Sequence, residues 1–565
     1  MERTYILGNS EASKQLGIQH ITIPNLANDN DIHNWIISEL GGIDINKLII
    51  EIGSNSVLSL KIALHIRLSP EELTVKSLLP ILFVSNKTLN RIIIETTIWS
   101  HLFATKGMYF HLFDDIAKLN AEIQVIEGIT PDEYKTGFLD IIKILPDEKT
   151  GRHSLANIWG AYAMDKAANT NALTGNVDFQ KSRTKLYFKY VSAFNFNVSK
   201  LKPPFFKVKG KIPLGSPNTI NSAGKKILLI DDEAGKGWEL VLRKIFKSAQ
   251  LFVINEKVQD YESLTTGSKQ LIENNSFDLF LVDLRLNGIA EESTMETMNF
   301  SGMKVLQKIK SLNNGNQVII FTASNKVWNQ KALLEAGADG YYMKESPEYG
   351  FSDNFSLQNY NIFKNEVEQA FLLSYLRDVF KIHERCRSFI LNDKPNRSNN
   401  NYHRLYDRTL AQLEIAFELL KQSNNPKYLN FSYLSYYQIL EDYAKQSDNF
   451  EYDDQVGCSV NGKQIINKID EEWELKFVDK DISAEDFSYF EIGTENKKYE
   501  NPTTLAKISF ILAYKFGKDN PFLKEWGRLN NLRNTVVAHG GKNTEVNITD
   551  LMCLLDIVEL FFTNP

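Results

Sequence analysis

Between residues 223 and 348, five short apolar runs alternate with stretches of helical periodicity, and most of the runs stop on a residue that carries chemistry. The runs are KILLID (226–231), LFVI (251–254), FDLFLVD (277–283), QVIIFTAS (317–324) and GYYMK (340–344). Runs this short, rich in β-branched residues and without polar alternation, predict strands buried on both faces. Helical segments from about Trp238, up to Asn274, over 302–312 and through LLEAG fill the gaps between them. That order predicts an open, doubly wound parallel sheet with helices on both sides.

In such a sheet, ligands gather outside the carboxyl ends of the strands. Asp231 and Asp232 end the first run, Asp283 the third, Thr322 and Ala323 the fourth, and Lys344 the fifth. Carboxylates this close repel one another unless a hard divalent cation lies among them, and an oxygen-only set suits Mg2+. The cation would shield an incoming phosphoryl group, so that one carboxylate can attack phosphorus. Lys344 would neutralise one phosphoryl oxygen and Thr322 would hydrogen-bond another.

The stretches LLIDDE (228–233), LFLVDLRL (279–286), IIFTAS (319–324) and GADGYYMKES (337–346) resemble the receiver domain of two-component response regulators, a flavodoxin-like fold. The resemblance implies that Asp283 is the phosphoacceptor, phosphorylated by a sensor histidine kinase. It makes Asp231 and Asp232 metal carboxylates alongside Asp283, with Arg285 offering a backbone carbonyl to Mg2+. Thr322 and Lys344 become the switch residues, and Tyr341 the aromatic that moves on activation. Two features depart from the family: the long segment GIAEESTMETMNFSG (288–302), and Glu345 where a proline usually follows the lysine.

At 565 residues the chain needs several cores, about three or four. Residues 1–120 repeat the βα rhythm with KLIIEI (47–52), PILFVS (80–85) and GMYFHL (107–112), but not the chemistry. Glu51, Ser85 and His111 stand near the strand ends, and no lysine follows the last strand. This block resembles a degenerate receiver with a dimerisation or docking role. Residues 121–222 form a connector, with a helix expected over 154–168, a strand over 186–196 and a proline-containing linker over 202–218. Its apolar and aromatic spacing reads as packing. Residues 223–350 are the receiver, and 355–565 show helical periodicity throughout, which predicts an all-α domain.

The net charge of −6 confines any nucleic-acid contact to a local basic patch. Cys386, Cys458 and Cys553 fit neither zinc nor disulfide spacing. The N-terminus lacks a leader pattern, and no apolar run approaches the ~20 residues of a membrane span. A soluble, cytoplasmic protein is expected.

The last helical segments include PFLKEWGRLNNLRNTVVAHGG (521–541), a helix opened by Pro521 and closed by Gly540 and Gly541. Arg533 and His539 lie about 9 Å apart along a helix and roughly 120° around it. One copy therefore does not converge them on a single atom, whereas two copies across a two-fold axis would form one cleft. A titratable His539 can exchange the proton of a ribose 2′-hydroxyl, and Arg533 can stabilise a phosphorane. Lys524 and Arg528, four residues apart, face flanking phosphates in this reading.

The segment resembles the R-polar-x4-H signature of the HEPN superfamily, helical domains that include ribonucleases of bacterial antiviral defence and toxin systems. That resemblance implies Arg533, Asn534 and His539 as a metal-free RNA-cleaving set in a homodimer. The whole then reads as a phosphorylation-controlled effector that cleaves RNA. The alternative is a non-catalytic regulator whose helical domain binds RNA or a protein partner.

Overall fold

Two five-stranded parallel sheets organise the N-terminal two-thirds of the chain. The computed structural model describes residues 3–9, 17–113, 116–146, 152–196, 201, 216–287, 299–322, 327–346, 353–422, 426–446, 449–453, 457–468, 475–477, 503–517, 519–537 and 546–563. Two compact units divide the chain: residues 1–306 with 318–368, and residues 307–317 with 369–565.

The first sheet has the order β2-β1-β3-β4-β5, built from β1 (Thr4–Leu7), β2 (Gln19–Ile21), β3 (Lys47–Glu51), β4 (Ile81–Ser85) and β5 (Met108–Leu112). Helices α1 (Asp29–Gly41), α2 (Ser56–Arg67), α3 (Leu89–Thr96) and α4 (Ile116–Val125) cover it. Every residue of β4 is buried, as a central strand between two helical layers requires. Helix α1 starts where the Asn28 side chain accepts the Asp31 amide, which satisfies one otherwise unpaired donor.

The connector is helical: α5 (Arg152–Ala168), α6 (Val177–Arg183) and α7 (Leu186–Asn195). The strand expected over 186–196 is therefore corrected to a helix. The segment is aromatic on two sides. Leu186, Phe188 and Val191 are buried, while Tyr187, Tyr190 and Phe194 pack partly buried against the core of the first sheet. Aromatic density in a short run imitates a strand when no polar face marks the helical period.

The second sheet has the order β10-β9-β8-β6-β7: β6 (Lys226–Ile230), β7 (Gln250–Ile254), β8 (Leu279–Asp283), β9 (Val318–Thr322) and β10 (Gly340–Met343). Numbered within its own block this is again 2-1-3-4-5, and all pairings are parallel. The helices are α8 (Trp238–Ile245), α9 (Thr266–Asn274), α10 (Ser301–Leu312), α11 (Val327–Glu335) and α12 (Asp353–Leu373). Gly237 precedes α8 at φ +113°, and a Cβ there would lie 3.1 Å from Ala161 of α5, so glycine permits both the turn and the close approach.

The second unit is helix-rich, with α13 (Leu376–Asp393), α14 (Asn400–Leu420), α15 (Pro426–Ala444), α16 (Thr504–Phe516), α17 (Pro521–Leu532) and α18 (Ile548–Thr563) around one apolar core. A four-stranded antiparallel sheet, β11 (Phe450–Asp453), β12 (Gly457–Val460), β13 (Lys463–Lys468) and β14 (Leu475–Phe477), is added where helices alone were expected. Its β12–β13 turn is Asn461-Gly462, both at positive φ, as a tight hairpin demands.

Candidate functional site

The register of the second sheet brings the chemistry together. Ile230 lies opposite Val282, and Asp283 opposite Phe321, so the residues that follow β6 and end β8 share one rim. Carboxylate oxygens of Asp231, Asp232 and Asp283 lie within 4.8 Å of one another. Lys344 follows β10, its amide donating to the Thr322 carbonyl at 2.7 Å, and its Nζ reaches Asp231 Oδ2 and Asp283 Oδ2, each at 2.9 Å. Asp231 Oδ1 also accepts the Glu233 amide at 2.8 Å. Thr322 is buried at the end of β9.

Burial opposes the charge on Lys344, but Asp231 and Asp283 outweigh it and hold the ammonium above the ordinary lysine range. Burial pushes Asp283 up, with Asp231 adding to the effect and Lys344 working against it. Asp232 is raised to about 6 by burial and by the neighbouring charges of Asp231 and Glu233. Neither carboxylate oxygen of Asp232 has a hydrogen-bond partner, although both are buried. Such a group is costly unless something compensates it. A hard divalent cation fits this set: three oxygen donors, one of them with both oxygens uncommitted, and a single lysine that does not balance three acids.

Glycine makes the rim possible. A Cβ on Gly302 would come within 2.0 Å of the Asp283 carbonyl and 2.8 Å of Leu284 Cα, so the start of α10 lies against the backbone that carries the acceptor. Ser301 Oγ accepts the Leu286 amide at 2.7 Å and fixes the loop from the other side. The guanidinium of Arg285 lies 5.0 Å from the Phe300 ring centre. Tyr341 is half-buried in β10, and its amide donates to Glu366 of α12 at 2.7 Å. Glu345 is buried and accepts from Ser356 Oγ at 2.6 Å.

Three residues escaped the sequence reading. Asn157 of α5 accepts from Lys344 Nζ at 3.1 Å and from Trp238 Nε1 at 3.1 Å. The Trp238 indole lies under the same ammonium, 5.2 Å from Nζ to the ring centre. Glu366 seals the β10 edge. A buried asparagine inside the apolar run LANIWGAYAM was the available signal, since a polar group there needs a partner.

At the same rim of the first sheet the chemistry is absent. Gly8 and Asn9 follow β1 where the second sheet has two aspartates. Glu51 ends β3, and its carboxylate accepts the Asn9 amide at 2.9 Å. Ser85 Oγ donates to the Ile52 carbonyl at 3.3 Å, and His111 Nδ1 pairs with Glu122 Oε2 at 2.5 Å.

In the second unit, α17 passes at Arg533 into a π-helical turn, Arg533–Val537. Arg533 donates to Asn534 Oδ1 at 2.9 Å, lies 5.1 Å from the Tyr437 ring centre and sits 3.6 Å from Glu441. Arg533 Nε is buried without a partner. His539 lies outside the described residues. Lys524 is exposed on α17, whereas Arg528 is held by Asp550 and by Glu525 at 2.8 Å.

Residues 1–111 match the inactive receiver domain family, and residues 227–350 match the response regulator receiver domain family. No curated protein is significantly similar to the chain. Among solved structures, it is similar to a CheY-like response regulator receiver domain protein from Methanospirillum hungatei JF-1, at 23% identity, covering 26% of this chain and 97% of that one, with TM-score 0.18. A Burkholderia pseudomallei response regulator with a phosphorylated aspartic acid, calcium ion and citrate is 18% identical, with coverage of 26% and 71% and TM-score 0.17. A putative two-component system response regulator/GGDEF domain protein is 10% identical, with coverage of 66% and 99% and TM-score 0.17. Over less than half its length, then, this chain consists of two receiver domains, an inactive one at its N-terminus and a response regulator receiver after the connector.

Proposed function

We propose that this chain is a phosphorylation-controlled signalling protein in which Asp283 accepts a phosphoryl group from a sensor histidine kinase and the helix-rich second unit is the effector. The observation that carries the first half is the buried rim of Asp231, Asp232, Asp283 and Lys344 at the carboxyl ends of a 2-1-3-4-5 sheet. A carboxylate oxygen of Asp283 forms the new O–P bond while the donor's P–N bond breaks, its electron pair and a proton remaining with the imidazole. Lys344 takes up the charge of a phosphoryl oxygen, and the Thr322 hydroxyl offers a further hydrogen bond. Asp231, Asp232, Asp283 and the Arg285 carbonyl would hold Mg2+, which when bound supplies positive charge against the incoming phosphoryl oxygens. Acetyl phosphate with Mg2+ tests this by labelling Asp283.

For the output, we propose RNA cleavage by Arg533, Asn534 and His539, without metal, in a homodimer through the second unit. Supporting it, Arg533 and Asn534 are held together on a π turn, a helix irregularity frequent at functional sites. One observation favours the non-catalytic alternative: Glu441 and Tyr437 already engage Arg533, and Asp550 and Glu525 engage Arg528. Incubation with total RNA decides between them. Cleavage should survive EDTA in an active form that needs no phosphorylation, leave 2′,3′-cyclic phosphate ends and spare DNA. His539→Ala should lose about 10²–10⁴-fold in rate while still binding RNA. Equal cutting by that variant would overturn the nuclease reading.

A further inference from the structure

An ammonium has three N–H donors, and Lys344 Nζ has three acceptors: Asp231 Oδ2 at 2.9 Å, Asp283 Oδ2 at 2.9 Å and Asn157 Oδ1 at 3.1 Å. The first two belong to the receiver. The third stands on α5 of the connector, 187 residues earlier in the chain, and is buried. Its oxygen also accepts the Trp238 indole N–H. Gly160, one turn further along α5, lets the helix sit against the receiver, since a Cβ there would lie 2.9 Å from Trp238 and 3.1 Å from the Glu345 carbonyl. The same helix packs Trp159 and Tyr162 on Phe188 of α7. The neighbouring Lys189 donates to Ser69 Oγ of the inactive receiver at 2.5 Å. A contiguous set of contacts thus runs from the rim of one receiver to the body of the other.

We propose that Asn157 is a positioning residue for Lys344, and that phosphoryl acceptance breaks their hydrogen bond and loosens the hold of α5 on the receiver. This rests on Asp283 being the acceptor. If Nζ stays in place, a phosphoryl oxygen becomes a fourth acceptor for three donors. If Nζ follows the phosphoryl group, the bond to Asn157, already the longest of the three, is stretched out of range. Asp231 and Asp283 are charged acceptors, so Coulomb attraction holds the ammonium to them more strongly than to a neutral carboxamide. The bond to the uncharged carboxamide is the one given up. Asn157 is suited to this because it binds the resting ammonium without holding it as a carboxylate would.

The test is amide hydrogen exchange over residues 155–168 of the full chain, with and without beryllofluoride and Mg2+ as the phosphoryl mimic, alongside acetyl phosphate labelling. In the wild type, the mimic should speed exchange there about ten- to a hundredfold, the range spanned by one hydrogen bond to a charged group. Asn157→Leu, which removes the acceptor, should exchange fast in both states with no further gain from the mimic. Asn157→Asp, which keeps an oxygen at that place, should restore protection in the mimic-free state. A purely structural asparagine would leave the mimic's increment intact in the leucine variant, and that result would overturn the proposal. An unchanged α5 in wild-type protein that does label at Asp283 overturns it as well, even if no variant folds. Absence of label on the wild type would instead defeat the acceptor reading beneath it.

Discussion

The two receiver sheets share strand order, parallel pairing and burial, yet only one of them gathers charge at its rim. In the second, three carboxylates and an ammonium are buried together, and both oxygens of Asp232 are left without a partner. In the first, Glu51 is spent on a backbone amide, Ser85 on a carbonyl and His111 on Glu122. The fold therefore does not depend on the chemistry. A parallel sheet is held by its apolar strands, and the rim residues are free to keep charge repulsion for function or to relax it into local hydrogen bonds.

The comparison breaks most sharply at the acceptor. Asp283→Asn should abolish labelling by acetyl phosphate with Mg2+, and Glu51→Gln should leave the stoichiometry at one per chain. Undiminished label on the asparagine variant would move the acceptor elsewhere. Loss of label on the glutamine variant would show that the first rim is not inert.

The next effect concerns the basic side chain paired with a carboxylate at each rim. Lys344→Met leaves Asp231 and Asp283 buried without their ammonium, and removal of one partner from a buried pair costs about 3–5 kcal/mol. Mg2+ should recover part of that loss. His111→Leu loses a pair whose glutamate is one-third exposed, worth under about 1 kcal/mol. Urea denaturation of the full chain with each variant, with and without Mg2+, measures both. Equal losses from the two substitutions would mean that the charged rim carries no special energy.

Most of this was legible from strand ends. Asp231, Asp232, Asp283, Thr322 and Lys344 announce themselves because each closes or directly follows an apolar run, and a period-two element places its last residues predictably. Asn157 was legible as a polar residue inside an apolar run, but not as the partner of Lys344. Its partner lies 187 residues away, and no local period marks a contact between separate elements. Helix α7 imitates a strand because its aromatic residues serve two faces, and the β11–β14 sheet is hidden because short antiparallel strands among helices leave only a weak pattern. The motif at 533 was visible as residue types. The π turn that sets Arg533 beside Asn534 is a backbone departure that spacing on a regular helix does not foretell.

Backbone approach gives the third contrast. Gly302→Ala would drive a Cβ into the Asp283 carbonyl, and overpacking against backbone that cannot move costs about 1–3 kcal/mol. Gly53, just past β3 in the first receiver, has open space around its would-be Cβ, so Gly53→Ala should be close to neutral. Gly302→Ala should also slow labelling of Asp283, because the displaced atom is the acceptor's own carbonyl. A Gly302→Ala chain with unaltered stability and labelling rate would show that this contact relaxes freely.

The smallest effect lies at the sheet edges and is read through pH. Burial raises Glu366 to about 7, while its bond from the Tyr341 amide acts in the opposite direction. Between the ordinary carboxylate range and that value, the folded receiver keeps a proton that the unfolded chain has released. Stability from this group therefore falls as pH rises through the window, and the penalty is constant above about 7. Glu366→Gln keeps an oxygen to accept the Tyr341 amide but cannot titrate. It should match the wild type at acidic pH and exceed its stability at pH 8, with the slope between them removed. In the first receiver the Tyr109 hydroxyl of the corresponding strand donates to the Glu127 carbonyl at 3.0 Å, a tie made to backbone and not to a carboxylate. Tyr109→Phe should thus lower stability by the same small amount at every pH from 5 to 8. A pH slope that survives in Glu366→Gln would place its origin in another group and remove the contrast between the two edges.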